Sequence, residues 1–156
     1  ETPIPQAEQP TQPPAPAAAV TVSPENAIRV YYIYKEEKGQ FGCGEAIRYV
    51  LTKQARSSSL AGDIRYAISV MLTLHEPNFG QLYHGGYAAN LAVADVTVNA
   101  DGSIKVALSG EWKANDRCDG KRFIDQLRQT IRQFGPSPLI QITINGTPIA
   151  DAVSRK

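Results

Sequence analysis

The sequence predicts an α+β fold in the order β-β-α-β-β-α-β, an antiparallel or mixed sheet of four to five strands with two helices packed on one face. Three observations carry this. Ile28, Val30, Tyr32 and Tyr34 alternate with Arg29, Tyr31 and Ile33, the period of a strand. Leu91 to Val98 and Ile104 to Leu108 flank Asn99-Ala100-Asp101-Gly102, where Gly102 supplies the positive φ of a hairpin turn. Phe123, Ile124, Leu127, Ile131 and Phe134 recur at helical spacing and stop at Gly135-Pro136.

The remaining elements follow in chain order. Lys35 to Gly44 is charged and glycine-rich, so it reads as a loop or wide hairpin after the first strand. Ala46 to Thr52 alternates again, with Ile47, Tyr49 and Leu51 opposite Arg48, Val50 and Thr52, and pairs with that strand. Asp63 can cap a helix running to about His75, with Ile64, Ala67, Ile68 and Met71 inward and Pro77 closing it. Pro77 to Asn90 is a long aromatic loop. The second helix begins at Asp119 or Gly120, and Leu139 to Ile144 is a last strand turned by Asn145-Gly146 into Thr147-Pro148-Ile149.

Composition divides the chain near residue 26. The first 24 residues hold seven of the eleven prolines. Proline fixes φ and donates no backbone hydrogen bond, so residues 1–26 read as a Pro/Ala/Gln-rich disordered spacer that could reach ~70 Å when extended. They carry no Lys or Arg, and residues 27–156, the expected domain, carry a mild net +4. The whole chain stands at +1, which argues against nucleic acid as a partner. No run approaches the ~18 apolar residues of a spanning helix. Glu1 rather than Met stands first, so the expectation is a removed N-terminal segment, and any membrane attachment would be through it.

The run Ala94 to Trp112, the helix Lys121 to Phe134 and the segment Leu139 to Ile149 together resemble the GerMN domain family, with Thr130 and Asn145-Gly146 at the family's habitual places. Ile28 to Tyr34 and Asp63 to Pro77 are similar to its first strand and first helix, so the likeness spans about residues 27–150. It departs in the aromatic-rich loop Phe79 to Ala89 and in the cysteine pair, which is not a general family feature. The resemblance implies an extracytoplasmic, non-enzymatic domain of a lipoprotein or membrane-tethered protein, secreted or held on the outer face of the cell membrane, with an envelope protein or cell-wall component as partner. A sporulation role does not follow from it.

In an exported domain, Cys43 and Cys118 read as one disulfide. The alternatives are two reduced thiols, or a catalytic thiol at Cys118 beside Arg117 near a helix start. His75 and His84 are nine residues apart across Pro77 and Gly80, which fits no zinc-protease spacing, so neither metal nor cofactor is expected. No Gly-x-Ser-x-Gly elbow or phosphate loop occurs. Tyr83, His84, Tyr87 and Trp112 form a candidate interaction surface, because loop aromatics suit binding. The expected function is an interaction or assembly module. A glycan- or peptidoglycan-binding module using those aromatics is the first alternative, and a small hydrolase built on His75, His84 or Cys118 the second.

Overall fold

The first strand runs much further than Tyr34: β1 (Ala27–Phe41) and β2 (Glu45–Ala55) make one long antiparallel ribbon, in register at Val30↔Val50 and Ile33↔Ile47. The computed structural model describes residues 22–137 and 139–154, so the expected spacer lies outside the described residues through position 21. The segment expected as a loop or wide hairpin, Lys35 to Gly44, is a hairpin that stays strand through Phe41. Residues from Lys35 to Gln40 are exposed, and the pairing register shifts between Tyr34 and Lys38 and again between Lys38 and Phe41. A polar ribbon needs no buried face to pair, so its composition hid it. The turn is left to Gly42 (φ +55°) and Gly44 (φ +100°).

The first helix, α1 (Leu60–Leu72), starts and ends one turn before the expected place. Ser59 is extended and its hydroxyl accepts from the Gly62 N–H at 3.0 Å, which makes it the cap. Asp63 is instead buried in the first turn, accepting from the Ser57 N–H at 2.9 Å and the Ser57 hydroxyl at 2.8 Å. His75 therefore lies beyond the helix. A short hairpin follows, β3 (Asn78–Phe79) with β4 (Leu82–Tyr83), and then the long hairpin of β5 (Asn90–Val98) and β6 (Ile104–Glu111). Helix α2 (Asp119–Arg132) crosses over so that β7 (Ile140–Ile144) pairs parallel to β6, and β8 (Thr147–Pro148) leads into α3 (Ile149–Ser154).

The α+β class holds, with two sheets where one was expected. Their orders are β2-β1-β4-β3 and β5-β6-β7-β8. α2 packs against both sheets with two adjacent buried stripes. Phe123, Leu127 and Ile131 join Ile104, Val106, Leu108, Ile142 and Ile144 of the second sheet and Ile64, Ile68 and Met71 of α1 in one core. Beside that stripe, Asp119, Arg122, Gln126 and Thr130 are also buried. Gln126 and Thr130 face the edge of β1 that β2 leaves open. The Tyr31 N–H donates to Thr130 Oγ1 at 3.2 Å, Gln126 Nε2 donates to the Tyr31 carbonyl at 3.3 Å, and the Arg29 N–H donates to Gln133 Oε1 at 2.7 Å. Side chains of a helix thus stand in for a neighbouring strand and satisfy backbone groups that could not be buried bare.

Candidate functional site

Cys43 and Cys118 are joined, with their Cα atoms 5.8 Å apart, and the bond ties the β1–β2 turn to the start of α2. Beside it lies a polar cluster centred on Arg122, Glu45 and Asp119. Arg122 reaches Glu45 through two parallel donors, Nε to Oε1 at 2.9 Å and Nη2 to Oε2 at 2.7 Å. Its Nη1 donates to Asp119 Oδ1 at 3.0 Å, and the Tyr83 hydroxyl donates to the same oxygen at 2.8 Å. The Asn115 N–H donates to Asp119 Oδ2 at 3.2 Å, and the Gly42 N–H donates to Asp125 Oδ2 at 2.8 Å. The guanidinium also stacks over the Tyr83 ring, 5.0 Å from its centre.

The charges inside this corner are mutually held. Burial works to raise the Glu45 carboxyl, but its hydrogen bonds from Arg122 and the Cys43 N–H outweigh it and leave the pKa below the ordinary value. The Arg122 guanidinium is held more firmly protonated, chiefly by Glu45. Burial and the Asp119 hydrogen bond raise the Tyr83 hydroxyl well above the ordinary phenol. The Arg122 guanidinium and the Tyr83 hydroxyl both point at protein carboxylates, so the arrangement braces a corner. Asp119, Arg122, Glu45 and Gln126 were not singled out in the sequence. The available signal was their spacing: 119, 122, 126 and 130 share one helical stripe next to the apolar one.

The expected aromatic surface does not form. Tyr83 is 7% exposed and His84 0%, so neither can meet a partner, while Tyr87 and Trp112 are half-buried. Trp112 stacks on Phe123 at 5.1 Å, and Tyr83 meets Tyr87 edge-on at 6.2 Å. The loop's aromatics close the core because the glycines between them let the chain press down on α2. A methyl group at Gly86 would stand 2.6 Å from the Phe123 ring. The exposed aromatics are elsewhere: Tyr49 and Phe79 border a groove shared with Tyr34 and Leu82. His75 is exposed, with Nδ1 3.3 Å from the Tyr87 carbonyl. Cys118, being bonded to Cys43, carries no thiol.

His84 is held as a neutral ring. Gln126 Oε1 accepts from the Gly85 N–H at 2.8 Å, so the amide nitrogen of Gln126 faces His84 Nδ1 at 3.1 Å and Nδ1 is the acceptor. Nε2 then carries the proton and makes no hydrogen bond. Burial first, and then the nearby His75, push the pKa down from 6.5 to about 4. The unfolded chain therefore binds this proton at a higher pH than the folded one. Stability from this residue is whole above pH 6.5 and drains away as pH falls towards 4. The expected loss is about 3 kcal/mol at the acid end. Denaturant titrations from pH 7 to pH 4 should show a steep fall that His84→Gln flattens. An equally steep fall in that variant would assign the effect to other groups.

No family model and no curated protein matches the sequence. Among solved structures, the first GerMN domain of the sporulation protein GerM from Bacillus subtilis superposes with a TM-score of 0.52 at 15% identity, over 78% of this chain and 84% of that one. The fold is GerMN-like. In this GerMN-like frame the residues that carried the resemblance have visible structural work. Thr130 takes the Tyr31 N–H, and Asn145 (φ +51°) and Gly146 (φ +84°) make the tight turn after β7. The Asn145 side chain also grips the Gly110 backbone, accepting from its N–H at 3.1 Å and donating to its carbonyl at 2.8 Å.

Proposed function

We propose that this chain is a non-enzymatic extracytoplasmic interaction or assembly module of a tethered bacterial envelope protein or lipoprotein. The disulfide between Cys43 and Cys118 is the observation that carries the reading, because such bonds persist in oxidising compartments outside the cytoplasm. The GerMN-like fold is in keeping with it, and so is the proline-rich composition ahead of the domain. Sporulation is said of the Bacillus protein and is not carried over. A glycan contact through Tyr83 and His84 finds no support in their burial, and a thiol hydrolase would need the thiol that Cys118 lacks.

The test is made on intact cells that express the whole protein. External protease is expected to digest the chain while a cytoplasmic marker survives, and photo-crosslinkers on its surface are expected to trap an envelope protein. Protection from protease until the cells are lysed would overturn the extracytoplasmic reading.

A further inference from the structure

Strand β2 is bonded on one side only: it ends its sheet, and among the described residues β1 is its one neighbour. Bonds on the far side of β1 fix which of its groups are open. There Arg29 and Tyr31 bond through their backbone to Gln133, Thr130 and Gln126, and Ile33 pairs with Tyr83 of β4. Those positions of β1 therefore aim away from β2, while Val30, Tyr32 and Tyr34 aim at it. Their partners are Val50, Arg48 and Ala46. Ile47, Tyr49 and Leu51 consequently turn their N–H and C=O groups outward, where among the described residues no strand pairs with them. This edge is accessible, since Tyr49 and Leu51 are each 45% exposed.

Edges that must stay apart are blunted by proline, a bulge or an unmatched charge. From Ala46 to Leu51 β2 has no proline and no shift of register, and its one charge, Arg48, is matched by Glu37. Ile47, Tyr49 and Leu51 share one face. Tyr49 is steadied there by Arg29, 4.4 Å from its ring centre, and by the Tyr31 ring at 5.4 Å. The strand also complements itself when reversed. With Tyr49 opposite Tyr49 of an antiparallel copy, Ile47 meets Leu51 twice. Lys53, exposed and in no salt bridge among the described residues, then falls opposite Glu45 twice. Centred on Val50 instead, the pair would set Lys53 against Ile47.

We propose that β2 pairs antiparallel with β2 of a second copy of this chain, across a two-fold axis at Tyr49, so that two four-stranded sheets join into one. The outward backbone groups of Ile47, Tyr49 and Leu51 close on those of the other copy, and six apolar side chains line one face of the seam. Apolar residues meet apolar ones and base meets acid at both ends, which fits a copy of the same strand. The inference rests on the assembly-module reading and names another copy as a partner of that module.

The test is sedimentation equilibrium of the full chain from ~5 μM to ~1 mM, with amide exchange read alongside. One strand pair is a small interface, so a dimer with a Kd of ~10–200 μM is expected. Exchange at Ile47, Tyr49 and Leu51 should slow as concentration rises. Tyr49→Lys and Tyr49→Glu each set like charges opposite one another on the axis and should weaken the dimer at least ~10-fold. Mixed in equal amounts, the two variants should associate to within ~5-fold of the unaltered chain, because lysine then faces glutamate. Should a Tyr49 variant misfold, Leu51→Lys, which sets a cation against Ile47 of the other copy, is expected to weaken the dimer similarly. A monomer throughout, a dimer that these variants leave unchanged, or a mixture that does not associate would overturn the proposal. Slow exchange at the three amides in a strict monomer would give the edge to another segment of the same chain and overturn it too. A monomer that is protease-accessible on cells and traps an envelope partner removes this edge alone. A protease-protected chain that still dimerises removes the compartment alone.

Discussion

Replacing Cys43 and Cys118 together with alanine is expected to cost the domain about 4 kcal/mol of stability. The bond spans 75 positions and restricts the unfolded chain accordingly. A domain of this size has only ~5–15 kcal/mol in all, so the variant should stand close to unfolding at 37 °C. The damage should also be local. Cys43 sits in the turn of the β1–β2 ribbon, and among the described residues that tip is otherwise tied to α2 only by Arg122–Glu45 and by the Gly42 N–H on Asp125. Amide exchange should quicken from Glu36 to Ile47 before it quickens in the core. Denaturant titration of oxidised, reduced and double-alanine protein measures the effect, and a difference below ~1 kcal/mol would mean that the corner holds without its bond.

Removing the guanidinium beside that bond is expected to do comparable harm. Arg122→Met should destabilise by about 3–5 kcal/mol, because it strands the Asp119 carboxylate, which has no exposed surface, without its cation. The Glu45 carboxyl would lose both of its parallel donors at the same time. Arg122→Lys should recover only part of the loss, since a single ammonium cannot replace a fork that reaches Glu45 and Asp119 together. Asp119→Asn in the Arg122→Met background should restore some stability by removing the stranded charge. If Arg122→Met alone costs less than ~1 kcal/mol, the cluster is an accident of packing and not a brace.

What the sequence revealed and what it hid follow from the same physics. Period-two patterns need a half-buried strand to be visible, so Ile28 to Tyr34 and the β5–β6 hairpin were legible while the exposed ribbon from Lys35 to Phe41 could be read only as a loop or wide hairpin. α2 was legible from Phe123, Leu127 and Ile131, but its buried polar stripe looks like a solvated face until β1 is laid against it. The cap of α1 went to Ser59 because Asp63 is taken up by Ser57, a local competition no spacing rule ranks. Loop aromatics suggested a surface, yet Tyr83 and His84 are inside, since Gly85 and Gly86 bring them down on Phe123. The cysteine pairing was legible because only two cysteines exist.

The proposed extracytoplasmic role requires that the bond between Cys43 and Cys118 be closed in the living cell. The most direct measurement is the intact mass of the protein recovered from its own cells, trapped with a thiol-alkylating reagent before lysis. The expected result is a mass two hydrogens below the reduced chain with no alkyl adduct at Cys43 or Cys118. Two adducts on protein taken from living cells would show a reduced pair, and would contradict the compartment and the proposed role with it.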